Sequence, residues 1–450
     1  MYIVQSQCIT LWMRKQTDLS GGVFKGLFQQ LVPTALIDTA LEKCHVRRRR
    51  PPLVLPEELL CGLVFHGLAG KGTLAQHMKQ VTGQVITDGA LAQRRAHLPL
   101  EVFERIMSQS LRPKADAKKH PEAFYVGLRL CGLDGSRFSV SNSPQIKAKM
   151  TKAKSRRGRA AFAQVGVAVM VELGLHNPIA AEVGMREESE MVLAKQLLKA
   201  LPERSLLIAD RYYGVPEVLV GLTGEQERHF LVRVRQNLTR RHLETYADGS
   251  ALVEISCGKS KRLVREIVGT VGRGNQPAVT VRLWTSLLDW RKHPAGQLLA
   301  LYARRWEQEV FYKELKVDTR STPRLRSHTP LTAAQEIAAL ILAYTVLVDH
   351  RLAAASAGEV GVLRISFIKT LQTLQGLWKF LELSSDLLTP GKIRLVVQRA
   401  LRMIAEMAIP KRRQRTCPRA LRQPVSSWPR LVKNTYRHGP PTCSVLAATV

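Results

Sequence analysis

Apolar positions recur at helical spacing over residues 19–112. A run from Val23 to Leu41 predicts a helical stretch, and RRRRPPLVLP ends it, because proline lacks the amide donor. A further helix is expected from about Pro56, where Glu57 and Glu58 suit the positive end of the helix dipole. Thr87 to Ile106 predicts two helices broken near Pro99, with Thr87 or Asp88 as cap and with Arg94 and Arg95 exposed. In outline this is a helix-turn-helix, and a plain helical domain fits the same pattern.

From residue 124 the period shortens to two. FYVGLRLCGLDG predicts a strand ending in an Asp-Gly turn, with RFSVS continuing after it. A basic, serine-rich loop follows at 147–161, then the apolar strand FAQVGVAVMVEL. EESEMVLAKQLLKAL, at 187–201, is an amphipathic helix, and SLLIAD, at 205–210, is a short strand stopping at Asp210. Residues 229–285 read as short strands between turn signals, forming a compact β unit. From 293 to about 408 the pattern is helical again. The fold class expected is therefore a mixed α/β architecture with helical N-terminal and C-terminal regions.

Charge changes this picture. The 450 residues carry a formal net charge of +32, which attracts polyanions, nucleic acid first among them. The basic tail from Pro410, the RRRR run at 47–50 and SRRGR at 155–159 are candidate DNA contacts, or solvated linker and loop. The longest apolar run, VGVAVMVELGL at 165–175, is too short to span a bilayer, so no membrane partner is expected. The N-terminus is not shaped like a signal peptide, and the seven cysteines form no CxxC pair. A reducing, cytoplasmic setting is expected, without a zinc site or disulfide framework.

The stretch LYARRWEQEVFYKELK, at 301–316, reads as one helix. On an ideal helix Tyr302, Arg305, Glu309 and Lys316 fall within a stripe about 60° wide. One carboxylate is thus flanked by two cations and a phenol, where a solvated face needs only scattered Glu–Lys pairs. Asp134 and Asp210 add carboxylates at or near strand ends. Such a trio can gather Mg²⁺, which takes few protein ligands and leaves positions for water or phosphate. Each aspartate alone also fits a turn or a cap.

Taken together these residues resemble the DDE transposases of bacterial insertion sequences, in the group (insertion-sequence family four) marked by Y-x2-R-x3-E-x6-K. Tyr302, Arg305, Glu309 and Lys316 match that spacing, LDGS at 133–136 resembles the first aspartate motif, and ADRYYGV at 209–215 resembles the second. The resemblance covers roughly residues 85–350. Ser136 departs from the usual threonine, and Tyr212 stands where glycine is common.

The resemblance implies an RNase-H-like core interrupted by a β-rich insertion. The corresponding division is a helical DNA-binding region at 1–120, core at 121–222, insertion at 223–292, core and C-terminal helices at 293–408 and a basic tail at 409–450. It implies that Asp134, Asp210 and Glu309 are the catalytic carboxylates and hold two Mg²⁺ ions, with Mn²⁺ able to substitute. Arg305, Lys316 and Tyr302 are implied to hold DNA near the cut, with Arg94 and Arg95 as further DNA-binding candidates. Trp284 is a candidate wedge for a flipped base, although its type and setting favour a core residue. Glu336, one acid on an apolar helix, is assigned no role. The activity implied is transposition: binding of terminal inverted repeats and target duplex by a homodimer, strand cleavage, a hairpin intermediate and strand transfer. The alternatives are an RNase-H-type nuclease that does not join strands and an inactive DNA-binding regulator.

Overall fold

A computed structural model describes residues 23–46, 54–155, 158–185, 188–222, 225–271, 279–320, 322–384 and 387–410. The RRRR run at 47–50 and the tail beyond 410 lie outside the described residues, as do the side chains of SRRGR at 155–159.

The N-terminal pattern folds as expected into helices α1 (Val23–Leu31), α2 (Thr34–Lys43), α3 (Pro56–Leu68), α4 (Leu74–Thr82), α5 (Asp88–Ala96) and α6 (Leu100–Ser110). The Thr87 side chain caps α5 by accepting from the Ala90 amide, and Pro99 precedes α6.

The sheet is built from β1 (Leu128–Ser139), β2 (Gln164–Glu172), β3 (Asn177–Val183), β4 (Ser205–Ala209) and β5 (Arg228–Arg233). Four more strands are β6 (Arg241–Thr245), β7 (Ala251–Cys257), β8 (Ser260–Val271) and β9 (Val279–Thr285). Their order is β3-β2-β1-β4-β5-β9-β8-β7-β6. The first three pair antiparallel, whereas β1, β4 and β5 run parallel. This 3-2-1-4-5 order is the RNase-H-like arrangement. The β-rich stretch is not a detached unit, because β9 hydrogen-bonds to β5 and extends the same sheet.

The Asp-Gly turn expected at 134–135 is absent. β1 runs straight through it, pairing with β2 from Cys131 to Ser139. The reason for glycine there is local crowding, described below.

Helix α7 (Glu190–Leu197) packs on the sheet near β1 and β2. The stretch predicted as one helix at 301–316 is helical but not uniform. It comprises α8 (Ala295–Tyr302), a 3₁₀ turn (Ala303–Arg305), α9 (Trp306–Lys313) and a π turn (Glu314–Asp318). Helices α10 (Pro330–Ala357), α11 (Phe367–Ser384) and α12 (Pro390–Glu406) follow. α10 is long and apolar enough to cross a membrane, but 89% of its apolar window is buried. It is a core helix, packed against α3, α6 and α12.

A buried ionic network fixes the π turn. The Glu314 carboxylate accepts from Tyr344 (2.5 Å), His176 (3.0 Å) and Arg351 (3.2 Å), and the other His176 nitrogen meets Glu307 at 2.9 Å. Burial opposes ionisation of Glu314, but Arg351 and His176 hold its pKa down at about 2. Removing one member strands the other charges in the interior. Glu314→Ala is therefore expected to lose about 3 kcal/mol or more in urea unfolding. A loss below about 1 kcal/mol would show that the network is dispensable.

Candidate active site

The register of the parallel pair β1–β4 creates the site. Leu133 lies opposite Ala209, where β4 ends, so Asp134 and Asp210 emerge side by side at the carboxyl end of β4. Asp134 is half-buried, and its Oδ1 accepts from the Gly135 amide at 2.9 Å. Asp210 Oδ1 accepts from the Tyr212 amide at 2.7 Å, which closes the turn after β4. Burial and then the neighbouring Asp210 charge push the Asp134 pKa from 3.8 up to about 7, with Arg305 pulling the other way.

The signature segment lies along β1. Gln308 is buried and donates to the carbonyl of Val169, the residue paired with Asp134 across β1–β2. The Tyr312 hydroxyl donates to the Asp134 carbonyl at 2.7 Å. Lys316 Nζ donates to Ser136 Oγ at 2.9 Å and to the Arg137 carbonyl at 2.8 Å. The serine that replaces the usual threonine thus keeps the hydroxyl that Lys316 uses. Glu309 lies on the same helix one turn before Tyr312, half-buried and paired with Arg305.

Arg305 Nη2 donates to Glu309 Oε1 at 2.7 Å, and its charge also reaches Asp134 and Asp210. Tyr302 is 9% exposed, and burial pushes its hydroxyl up to about 12 although Arg305 opposes this. The segment therefore runs beside the aspartate pair, with Arg305 near both aspartates and Lys316 tied to β1 just beyond Asp134.

Three other predicted residues sit elsewhere. Trp284 is fully buried, with its indole donating to Glu266 at 2.8 Å and the Arg282 guanidinium 5.4 Å from its ring. It is a core residue, which leaves no face for a flipped base in this conformation. Arg95 was expected to be exposed, but its guanidinium donates to Gln335, Ser327 and the Thr332 carbonyl, docking α5 onto α10. Arg94 is half-buried and donates to the Val54 carbonyl. Glu336 accepts from the amides of Arg326 and Ser327, so it shapes a loop.

One residue escaped sequence reasoning. Glu190, at the start of α7, accepts from the Tyr213 hydroxyl at 2.6 Å and contributes to the raised pKa of Asp134. A Cβ on Gly135 would lie 2.1 Å from Glu190 Cγ. Glycine follows the first aspartate because the Glu190 side chain crosses that point, not because the chain turns. Glu190 thus links the residue after Asp134 to the third residue after Asp210. The one available signal was an acid opening an amphipathic helix, which a helix dipole explains as well.

The residues present fit a divalent cation of the magnesium type. Two adjacent carboxylates repel one another despite the nearby Arg305, and such an ion needs only one or two carboxylates beside water and substrate phosphate. Among the described residues no group of three or more His, Cys, Asp or Glu is gathered to hold an ion unaided. Glu309 is engaged by Arg305, so it joins the set only by leaving that pair.

Gly135→Ala should displace Glu190 and slow DNA strand cleavage at least about ten-fold, and adding Glu190→Ala should cost little more, because the two act as a unit. Independent, multiplying losses in the double variant would refute the linkage. The raised Asp134 pKa also has a signed consequence. Below about pH 4 the group is protonated in both states; from 4 to 7 only the unfolded chain ionises, so stability falls as pH rises. In EDTA at pH 8, Asp134→Asn should therefore melt several degrees above the parent, with the gap closing near pH 4. Equal melting temperatures at both pH values would contradict this.

Residues 128–346 match the family model described as a transposase DDE domain. The chain is 24% identical over 416 residues to the transposase InsG for insertion sequence element IS4 of Escherichia coli K12, covering 87% of this chain and 89% of that protein. It is also 24% identical over 230 residues to the putative transposase InsZ of the same organism, covering 48% and 74%. A piggyBac transposase synaptic complex with hairpin DNA aligns over 92% of this chain and 90% of that one, with a TM-score of 0.44 and 13% identity. The aspartate pair, the Y-R-E-K segment across it and the InsG likeness along most of the chain converge: this protein belongs to the DDE transposases of bacterial insertion sequences, of the IS4 type.

Proposed function

We propose that this DNA transposase cleaves its element ends with Mg²⁺ held by Asp134, Asp210 and Glu309, and then joins the freed 3′-hydroxyl to target DNA. The carrying observation is the side-by-side placement of Asp134 and Asp210 with the Y-R-E-K segment laid over them. When bound, the cation supplies Lewis-acid stabilisation of phosphodiester oxygens and activation of a water or hydroxyl.

The chain's own residues supply the rest. Asp134 and Asp210 are fixed by the strand register and by amide hydrogen bonds, so their oxygens are preorganised. Arg305 presents a planar fork that suits a phosphate, and Lys316 supplies a point charge beyond Asp134. Tyr302, buried against Arg305, orients that guanidinium. The Arg305–Glu309 pair is a resting arrangement: a phosphate competing for Arg305 would release Glu309, which would then be able to hold the cation with the two aspartates. Duplex DNA, both terminal inverted repeats and target, is the substrate, with a hairpin as the intermediate. The protein acts as a homodimer at the paired ends, in the cytoplasm at the nucleoid. The proposed division is the helical DNA-binding region at 1–120, core at 121–233 and 293–408, β-rich insertion at 234–292 and basic tail at 409–450; β5 moves from the insertion to the core because it pairs with β4. Arg94 is kept only as a contact for DNA running along α5.

The test is strand cleavage on a terminal-repeat duplex with Mg²⁺ or Mn²⁺. Glu309→Gln and Asp134→Asn should each lower the rate at least about 10³-fold while duplex binding persists, as expected when charge stabilisation at a reacting centre is removed. Cleavage at the parental rate in either variant would sink the assignment. Cleavage without joining of precut ends to a target plasmid would favour the nuclease reading.

A further inference from the structure

Past the Y-R-E-K segment the chain enters a second basic environment. A cleft is lined by His66 and Gly70 of the α3 region, Arg95 of α5, Arg320 and Thr322 after the π turn, Arg326, and Glu336 of α10. Three guanidiniums face one carboxylate there. His66 adds no compensation, because burial and then His77 push its pKa down to about 3, leaving it neutral. Glu336 is already occupied by the Ser327 and Arg326 amides. Arg326 is used structurally, donating to the carbonyls of Gly70 and Gly72. Arg95 is held by Gln335, Ser327 and Thr332.

Arg320 differs from these. Its guanidinium stands over the Phe138 ring at 5.2 Å, and its buried Nη2 has no hydrogen-bond partner among the described residues. A buried, unpaired donor on a charged group is costly unless something outside the chain satisfies it. The excess of positive charge specifies an anion. The planar guanidinium suits the tetrahedral oxygens of a phosphate, while the Thr322 hydroxyl donates to the Arg324 carbonyl at 2.8 Å and marks the mouth of the same cleft. Arg320, Thr322 and Arg326 are only half-buried, so the cleft opens to the surface.

Its position ties it to the reaction. Lys316 Nζ is 5.4 Å from the same Phe138 ring, so Lys316 and Arg320 lie within about 11 Å of one another on one flank of β1. A strand whose scissile phosphate sits at Asp134 and Lys316 would bring a phosphate a few nucleotides away to Arg320.

We propose that this cleft is a phosphate-binding site in which Arg320 is the principal ligand, and that it takes a phosphate of the DNA strand held by the active site or a free phosphate of the same chemistry. The DNA source rests on the transposase reading; the phosphate site itself does not.

The test uses the full chain. Duplex binding is measured by fluorescence anisotropy against KCl concentration, and melting is measured with and without inorganic phosphate. Loss of one phosphate contact should lower the slope of log affinity on log salt by about one. Arg320→Gln is therefore expected to bind duplex about ten-fold more weakly with that shallower slope, and Arg320→Lys to recover part of both. Thr322→Asp, which places a carboxylate at the mouth without touching the core, should weaken binding in the same way. It keeps the test decisive should Arg320→Gln not fold. Phosphate raising the melting temperature of the parent but not of Thr322→Asp or Arg320→Gln, with unchanged DNA slopes, would support the site and assign it to free phosphate. Unchanged slope, unchanged affinity and no phosphate-dependent difference in melting would overturn it. Loss of cleavage in Asp134→Asn alongside that null result would leave the transposase reading intact.

Discussion

The molecule depends on the register between two parallel strands. With Leu133 set opposite Ala209, Asp134 and Asp210 must share a small, half-buried volume, and the cost appears directly as the raised pKa of Asp134. Such repulsion is tolerated because the sheet over-determines it: β1 is flanked by β2 and β4 along the shared stretch, and α9 is pinned across it by Gln308 and Tyr312. Stability is surrendered at this point in exchange for a pair of oxygens poised for a cation.

The departures from ideal helix geometry in the signature segment serve the same end. A straight α-helix from 295 to 318 would carry Lys316 on a fixed phase from Glu309. The π turn, anchored by Glu314, Arg351, His176 and Tyr344, changes that phase and brings Lys316 onto Ser136 and Arg137. A buried ionic cluster is thus coupled to the position of a surface cation, and the core helix α10 is the element that supplies two of its members.

Much of this was legible in the sequence, for physical reasons that differ by element. The helix and strand periods, the cap at Thr87 and the break at Pro99 are local effects, so a linear reading finds them. The Y-R-E-K spacing is likewise local. The failures are tertiary. Asp134-Gly135 reads as a turn because nothing in one strand reveals that Glu190, some fifty positions on, will cross its glycine. Arg95 looks like surface charge until Gln335 and Ser327 close over it. Trp284 and its neighbour Arg282 are both buried, since Glu266 on the paired strand satisfies them together. An alternating in-and-out pattern cannot announce that arrangement.

The central claim is that Asp134 and Asp210 form one cation site. Titrating Mn²⁺ into the full chain and following free ion by electron paramagnetic resonance tests it without requiring catalysis. The account predicts that the parent protein depletes the free-ion signal and that Asp134→Asn and Asp210→Asn each abolish the depletion. Equal Mn²⁺ uptake by the parent and by both variants would contradict it.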